Sequence, residues 1–277
     1  MSKQDKVWFI TGTSSGFGRE LALEALARGD RVVATARDPK SLDELVRGAP
    51  ERVLAVRLDV TKPEQIQSAL QEAVQRFGTI DVLVNNAGYS VVGAVEETSD
   101  AELRLALETM FFGAAALTRA VLPRMRAQQS GTIVQISSVG GFITAPGFGA
   151  YCAAKHALEA LSEALASEVA PFGIRVLIVE PGAFRTSLFG AAFRSIPPLD
   201  EYAATVGPTR QYAAESAGKQ PGSPAKAAKA IADAVAAGAP SLRLPLGADA
   251  VSSMRDKLTK VAADIDAGES VARATAF

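Results

Sequence analysis

Seven short runs of apolar and β-branched residues, at 7–11, 31–36, 53–58, 82–85, 132–136, 175–180 and 242–245, are separated by longer segments of helical periodicity. Most of these runs are apolar at consecutive positions, so both faces of each strand need cover, as in a parallel sheet flanked by helices. Strand and helix alternate from one end of the chain to the other. That predicts an α/β fold, a doubly wound parallel sheet of about seven strands with helices on both faces. Ile66, Leu70, Val74 and Phe77 recur at helical spacing behind Thr61 and Pro63, which read as cap and first turn. Ser99, with Glu102 three residues on, opens a helix running to about 125, and another runs from 151 to about 172, ahead of Gly173. No linker, composition shift or repeat divides the 277 residues, so 1–277 is read as a single domain. The segment 183–223, rich in Pro, Gly and Ala, is too long for an ordinary connection and reads as an insertion with a task of its own. Residues 248–277 read as a terminal helix and tail.

Two singletons narrow the chemistry. The chain has one cysteine, Cys152, and one histidine, His156. No disulfide framework forms within the monomer, and zinc or haem sites built from several His and Cys ligands are excluded, so no metal is expected. Lys and Arg number 29 against 30 Asp and Glu, a balance that argues against a nucleic-acid or anionic-membrane surface. The polar N-terminus leads directly into the first strand without a secretory leader pattern, and no unbroken apolar run of about 20 residues occurs, so a cytoplasmic protein is expected.

Thr11-Gly12-Thr13-Ser14-Ser15-Gly16-Phe17-Gly18 follows the first strand and opens the first helix. Glycines there let the backbone approach a pyrophosphate, and the helix start supplies unpaired N–H groups and a positive dipole end. A glycine-rich turn without ligand is the plainer alternative; the strand-then-helix setting favours the phosphate. The spacing T-G-x-x-x-G-x-G resembles that of the short-chain dehydrogenase/reductase (SDR) family. Further motifs agree: Asp59-Val60 after the third strand, Asn85-Asn86-Ala87-Gly88 after the fourth, Tyr151-Cys152-Ala153-Ala154-Lys155 as Y-x-x-x-K, Ser138 thirteen residues before the tyrosine, and Pro181-Gly182 with Thr186. Together they cover roughly residues 6–246 in the family's order. The resemblance implies a Rossmann-type fold. It also implies a dinucleotide held by Gly12, Ser14, Ser15, Gly16, Phe17, Gly18, Asp59, Val60, Asn86, Ala87, Gly88, Tyr151, Lys155, Pro181, Gly182, Phe184 and Thr186.

The second strand ends in Ala36 and Arg37, with no carboxylate at the position where an NAD(H) site binds the ribose hydroxyls. Arg37 is therefore read as a ligand for a 2′-phosphate, favouring NADP(H) over NAD(H), against the alternative of a turn residue paired with Asp38 or Glu44. Tyr151 and Lys155 lie one helical turn apart on one face. A phenol of ordinary pKa about 10 is a weak base at neutral pH, and a nearby ammonium with an oxidised nicotinamide is expected to lower it. The resemblance makes Ser138, Tyr151 and Lys155 the catalytic set, with Ser138 orienting the substrate oxygen; Ser137 competes with Ser138, but the interval to Tyr151 favours the latter. One departure stands out: Met110 occupies the place where the family usually has an asparagine serving a proton relay, and a thioether cannot provide that link.

Within 183–223, Phe184, Leu188, Phe189, Phe193, Ile196, Pro197, Pro198, Leu199 and Tyr202 form an apolar set that the resemblance places in a substrate lid, with Phe142, Phe148 and Val92 as further walls. The substrate-binding set is thus Ser138, Phe142, Phe148, Tyr151, Phe184 and Phe189, suited to a hydrophobic ketone or secondary alcohol. The reading is an NADP(H)-dependent carbonyl reductase or alcohol dehydrogenase. The runner-up is an NADP(H)-binding sensor with little or no turnover, which Met110 alone favours. Cys152 reads as a small buried residue and His156 as packing or interface. By resemblance the chain forms a homodimer or homotetramer through its two long helices, for which Leu117, Val121, Leu158, Leu161 and Leu165 offer an apolar face.

Overall fold

A computed structural model describes residues 5–276. Its centre is a parallel sheet of seven strands: β1 (Val7–Ile10), β2 (Arg31–Ala36), β3 (Val53–Arg57), β4 (Val82–Asn85), β6 (Gly131–Ile136), β7 (Ile174–Pro181) and β9 (Arg243–Leu246), ordered β3-β2-β1-β4-β6-β7-β9. All seven strands read from the sequence are present. Successive residues of β1 face opposite ways: Val7 and Phe9 pack with α3 (Pro63–Phe77), α5 (Gly113–Gln128) and α6 (Gly149–Val169), while Trp8 and Ile10 pack with α1 (Gly16–Ala27), α2 (Asp43–Gly48) and α8 (Pro224–Ala236). Burial on both faces explains the unbroken apolar runs.

The order turns back between β1 and β4, opening a crevice at their carboxyl ends. Thr11 ties the two ends together: its Oγ1 accepts from the N–H groups of Asn86 at 2.8 Å and Ala87 at 2.9 Å, and its own N–H donates to the Val84 carbonyl. Asn86 Nδ2 returns to the carbonyls of Thr11, at 2.8 Å, and Gly12, at 3.0 Å.

Ser99 caps α4 (Asp100–Leu107) by accepting from the Glu102 N–H, but the Glu102 carboxylate reaches Arg194 instead of closing the box. A π-turn, Glu108–Phe112, joins α4 to α5 and carries Met110 at its middle. The joined helix is long and apolar enough by composition to cross a membrane, yet Met110, Leu117, Val121 and Met125 are buried in the domain core. Thr61 is not the cap of α3. Its N–H and hydroxyl both donate to Asp59 Oδ1, so the side chain closes a turn after β3, and the helix starts at Pro63 behind an uncapped Lys62.

Leu117, Val121, Leu158 and Leu165 do not form a free apolar face; all four are buried within the monomer, since the stripe they make points at the sheet. The exposed apolar side chains on the long helix are Leu103, Leu105 and Phe112. Two short strands escaped the sequence pattern: β5 (Ser90–Val92) pairs in parallel with β8 (Phe193–Ser195). That ribbon ties 183–223 to the domain, and α7 (Gly207–Ser216) completes the segment. The last helix, α9 (Ala248–Arg273), is 26 residues long.

Replacing Thr11 by Val keeps its shape but leaves the Asn86 and Ala87 amides without their acceptor. We expect a loss of about 2 kcal/mol in a denaturant titration, the cost of unpaired donors at a partly buried site; unchanged stability would show that these amides do not depend on the hydroxyl.

Candidate active site

A single cavity of about 730 Å³ runs along the crevice from the end of β2 to the segment after β7. At one end lie Ala36, Arg37, Leu58, Asp59, Val60 and Thr61; Gly12, Ser14, Ser15, Gly16, Phe17, Asn86, Ala87 and Gly88 line the middle; Ser138, Tyr151, Lys155, Pro181, Gly182, Phe184 and Thr186 follow. Gly12 and Gly16 have φ of 70° and 57°, the left-handed conformation that suits glycine, and carry the backbone past the cavity without side chains. Gly18 lies behind this loop. A Cβ there would stand 2.2 Å from the Gly12 carbonyl oxygen, so only glycine lets α1 approach so closely.

The loop fits a dinucleotide. The first turn of α1 has no side-chain cap, so its N–H groups are not taken by its Ser15 N-cap; that Oγ instead meets Ser187 Oγ at 3.0 Å. Phe17 and Phe184 flank the passage with ring centroids 5.3 Å apart. Arg37 is exposed and makes no side-chain bond among the described residues; Glu44 pairs with Arg19 and Asp38 caps the turn at Lys40.

Ser138 caps the 3-10 turn Val139–Gly141 at the end of β6, its Oγ accepting from the Gly140 N–H at 3.0 Å, and lies near the Tyr151 hydroxyl. Ser137 is committed elsewhere, donating to Glu159 Oε1 at 2.5 Å. Lys155 Nζ donates to the Ile136 carbonyl at 2.7 Å and lies 5.9 Å from the Tyr151 ring centroid. The expected lowering of the tyrosine is not present in the protein by itself. Burial raises the Tyr151 hydroxyl to about 12, the Ser138 hydroxyl offsetting it only in part, and burial lowers the Lys155 ammonium to about 8 against the attraction of Glu159. A Cβ on Gly88 would meet Met110 Cγ at 3.3 Å, its sulfur at 3.4 Å and Lys155 Nζ at 3.8 Å, so the thioether and the ammonium both border Gly88.

The substrate end departs from expectation in several places. Phe148 and Phe189 line it, joined by an aromatic chain from Tyr151 to Phe148 at 6.2 Å, Phe148 to Phe189 at 6.3 Å and Phe189 to Tyr212 at 6.0 Å. Phe142 does not line the cavity. The 3-10 turn after Ser138 directs its ring away from the crevice and onto the Arg243 guanidinium, 5.3 Å from the centroid. Val92 is buried within β5 rather than forming a wall. Of the apolar set in 183–223, Phe184, Leu188 and Phe189 reach the cavity. Others secure the segment: Ile196 packs on Gly93, and the Tyr202 hydroxyl donates to Glu96. Arg210 holds Glu97 at 2.6 Å, and Glu97 accepts the Leu199 N–H at 2.7 Å.

Arg194, which the sequence offers with Arg185 as a weak candidate for a phosphate or substrate contact, lines the cavity, pairs with Glu102 at 2.9 Å and lies over the Tyr89 ring. Two lining residues had no sequence signal: Gln220 is buried with Oε1 unpartnered, and Asp249, at the start of α9, accepts the Ala183 N–H at 2.7 Å. Beneath the site, Arg243 joins Glu159, Glu163 and the buried Glu180 into one cluster, where burial and then the charge of Glu159 raise the Glu180 carboxyl. Arg243 is marked in sequence only by its place in the last strand run. His156 Nδ1 lies 2.9 Å from the Cys152 carbonyl, outside the cavity lining.

Comparison with known proteins follows the same lines. Residues 6–196 match the family described as short chain dehydrogenase. Oxidoreductase BOA17 of Botryotinia fuckeliana is 43% identical over 248 residues, 89% of this chain and 90% of that one. A short-chain dehydrogenase from Streptomyces avermitilis superposes with a TM-score of 0.94 at 52% identity, over 99% of this chain and 100% of the other. An SDR from Burkholderia phymatum, solved in complex with NAD, superposes at 0.81 with 25% identity, over 91% and 92%.

Cys152 borders the cavity, but burial raises its thiol to about 11. Thiolate is the reactive form, so alkylation of the folded protein should be slow at pH 8.5 and rise through pH 10–11 instead of levelling near the ordinary thiol pKa of about 8.5. Mass-spectrometric labelling rates in folded and unfolded protein test this, and a plateau near pH 9 would contradict the raised pKa.

Proposed function

This chain belongs to the short-chain dehydrogenase family of oxidoreductases, and we propose that it reduces a hydrophobic ketone to a secondary alcohol with NADPH. The observation that carries this reading is the meeting of Ser138, Tyr151 and Lys155 in one cavity with an uncapped, glycine-lined start of α1.

When bound, the dinucleotide supplies or accepts the hydride. The residues of this chain bind, orient and move the proton. Tyr151, held as the neutral phenol by burial, is the proton donor to a carbonyl oxygen, and Ser138 Oγ hydrogen-bonds the same oxygen and sets its direction. Burial opposes the phenolate needed for the reverse reaction, so oxidation relies on the nearby ammonium and the charge of the oxidised cofactor to lower the phenol. Lys155, protonated below about 8, places its ammonium beside the tyrosine and within the cavity, suited to the ribose hydroxyls. Phe148, Leu188, Phe189 and Tyr212 enclose the substrate end, and their apolar surface favours a hydrophobic carbonyl compound over a sugar. Met110 favours one other reading, a nucleotide sensor without turnover, because it puts a side chain without hydrogen-bonding N–H or O–H groups at Gly88, which Lys155 also borders.

The Burkholderia relative binds NAD. In this chain Ala36 and Arg37 stand where a carboxylate would, with a guanidinium unpaired among the described residues at the end of β2, and that supports a 2′-phosphate. Changing Arg37 to Ala should weaken NADPH binding about tenfold or more, the worth of a charge-assisted bond, and leave NADH nearly unchanged. Equal affinities for the two cofactors before the change would remove Arg37 from this role.

Oxidation of NADPH, followed by absorbance with a panel of hydrophobic ketones, tests the activity itself. Tyr151→Phe should lower turnover at least about a hundredfold while NADPH still binds. Binding of NADPH without turnover on any ketone would select the sensor.

A further inference from the structure

Past Met254, α9 leaves the body of the protein: residues 255–267 and 269–276 are exposed, and Leu258, Val261, Ile265 and Val271 show 57%, 37%, 64% and 71% of their surface. The main contacts of α9 are with β9 and the turn after Ser138, and its Asp249, in the first turn, accepts the Ala183 N–H. A bare helix of this kind gains nothing from tertiary packing, the main source of helix stability in proteins. Its apolar positions are also ordered. Val251, Met254, Leu258, Val261, Ile265, Gly268 and Ala272 follow one another at alternating intervals of three and four residues, which is the seam of a two-stranded coiled coil.

The charges flanking the seam select the occupant and its direction. Arg255, Lys257 and Lys260 precede Asp264, Asp266 and Glu269, so the near half of the arm is mainly basic and the far half mainly acidic. Two parallel copies would set Asp264 against Glu269, like against like. Two antiparallel copies, with Leu258 opposite the second copy's Val261 and Met254 opposite its Ile265, bring Lys257 beside Asp264, a pairing that occurs twice by symmetry, and set Arg255 against the uncharged Ala262. Arg255, Lys257 and Asp264 are in no ion pair among the described residues, and Glu269 pairs only with its own Arg273. We propose that the arm over 251–272 pairs antiparallel with the same arm of a second copy of this chain, with the two-fold axis between Thr259 and Lys260. The pairing is separate from the exposed face at Leu103, Leu105 and Phe112, and does not depend on the reaction proposed above.

Sedimentation velocity of the full chain at low salt reads this directly. Leu258→Asp should abolish the arm-dependent association. Lys257→Glu and Asp264→Lys should each weaken it about tenfold, because each puts two like-charged pairs across the axis. An equimolar mixture of these two variants restores both pairs with opposite signs and should associate like the unaltered chain, an outcome that only the antiparallel register gives. Far-UV circular dichroism and the thermal melting temperature report that each variant is folded. The proposal is overturned if the unaltered chain stays monomeric, if Leu258→Asp associates normally, or if the mixture recovers nothing. Binding of the arm to anionic phospholipid vesicles in place of self-association would equally overturn it and assign the seam to a lipid surface.

Discussion

Where the strand order turns back, between β1 and β4, no connecting helix holds the two strand ends together, and the hydroxyl of Thr11 does so instead. It accepts two backbone N–H groups from the end of β4, while Asn86 returns two bonds to the end of β1. Everything in the crevice refers to this junction. The glycine loop leaves β1 one residue later, Gly88 backs onto Met110 and Lys155, and any side chain at position 18 is excluded by the Gly12 carbonyl that Asn86 holds. A crevice between separated strands would otherwise widen with the twist of the sheet. Here its width is set by hydrogen bonds of fixed length.

The sheet was legible because burial on two faces forces continuous apolar runs, as at Val7, Trp8, Phe9 and Ile10, all four of which are buried. Ser138, Tyr151 and Lys155 were legible from motif spacing, since a helical turn and a strand end convert sequence intervals into distances. What escaped was what depends on tertiary approach. β5 and β8 are three residues each, too short for periodicity, and they find each other across about a hundred positions. Gln220 and Asp249 come to the cavity from distant segments. Phe142 shares its composition with Phe148, yet a 3-10 turn directs one ring to Arg243 and leaves the other against Tyr151. Thr61 had the right chemistry for a cap but found Asp59 first.

A net charge of -1 conceals how unevenly the charges are placed. Burial moves Tyr151 and Lys155 in opposite directions, each toward its neutral form. Glu159, one turn beyond the lysine, opposes that for the ammonium, and Arg243 and the Ser137 hydroxyl hold it in place beside Glu180. The site is thus floored by a cluster of carboxylates from α6 and β7 gathered on one arginine of β9. Breaking it from one side strands charge in a dry place, which ties the far edge strand to the state of the lysine.

The ribbon of β5 and β8 bears on how such a scaffold acquires new substrates. The segment over the cavity is fastened by main-chain pairing and by Arg210 and Tyr202 to the loop after β5. Phe189 adds ring contacts to Phe148, Phe193 and Tyr212, whereas Leu188, which also lines the cavity, takes no part in the polar ties. Polar fastening and cavity lining therefore reside largely in different residues of the same segment. A replacement at Leu188 reshapes the cavity without breaking a hydrogen bond of the cover, so a lineage with this architecture is able to alter the lining by single replacements while the cover stays tied down.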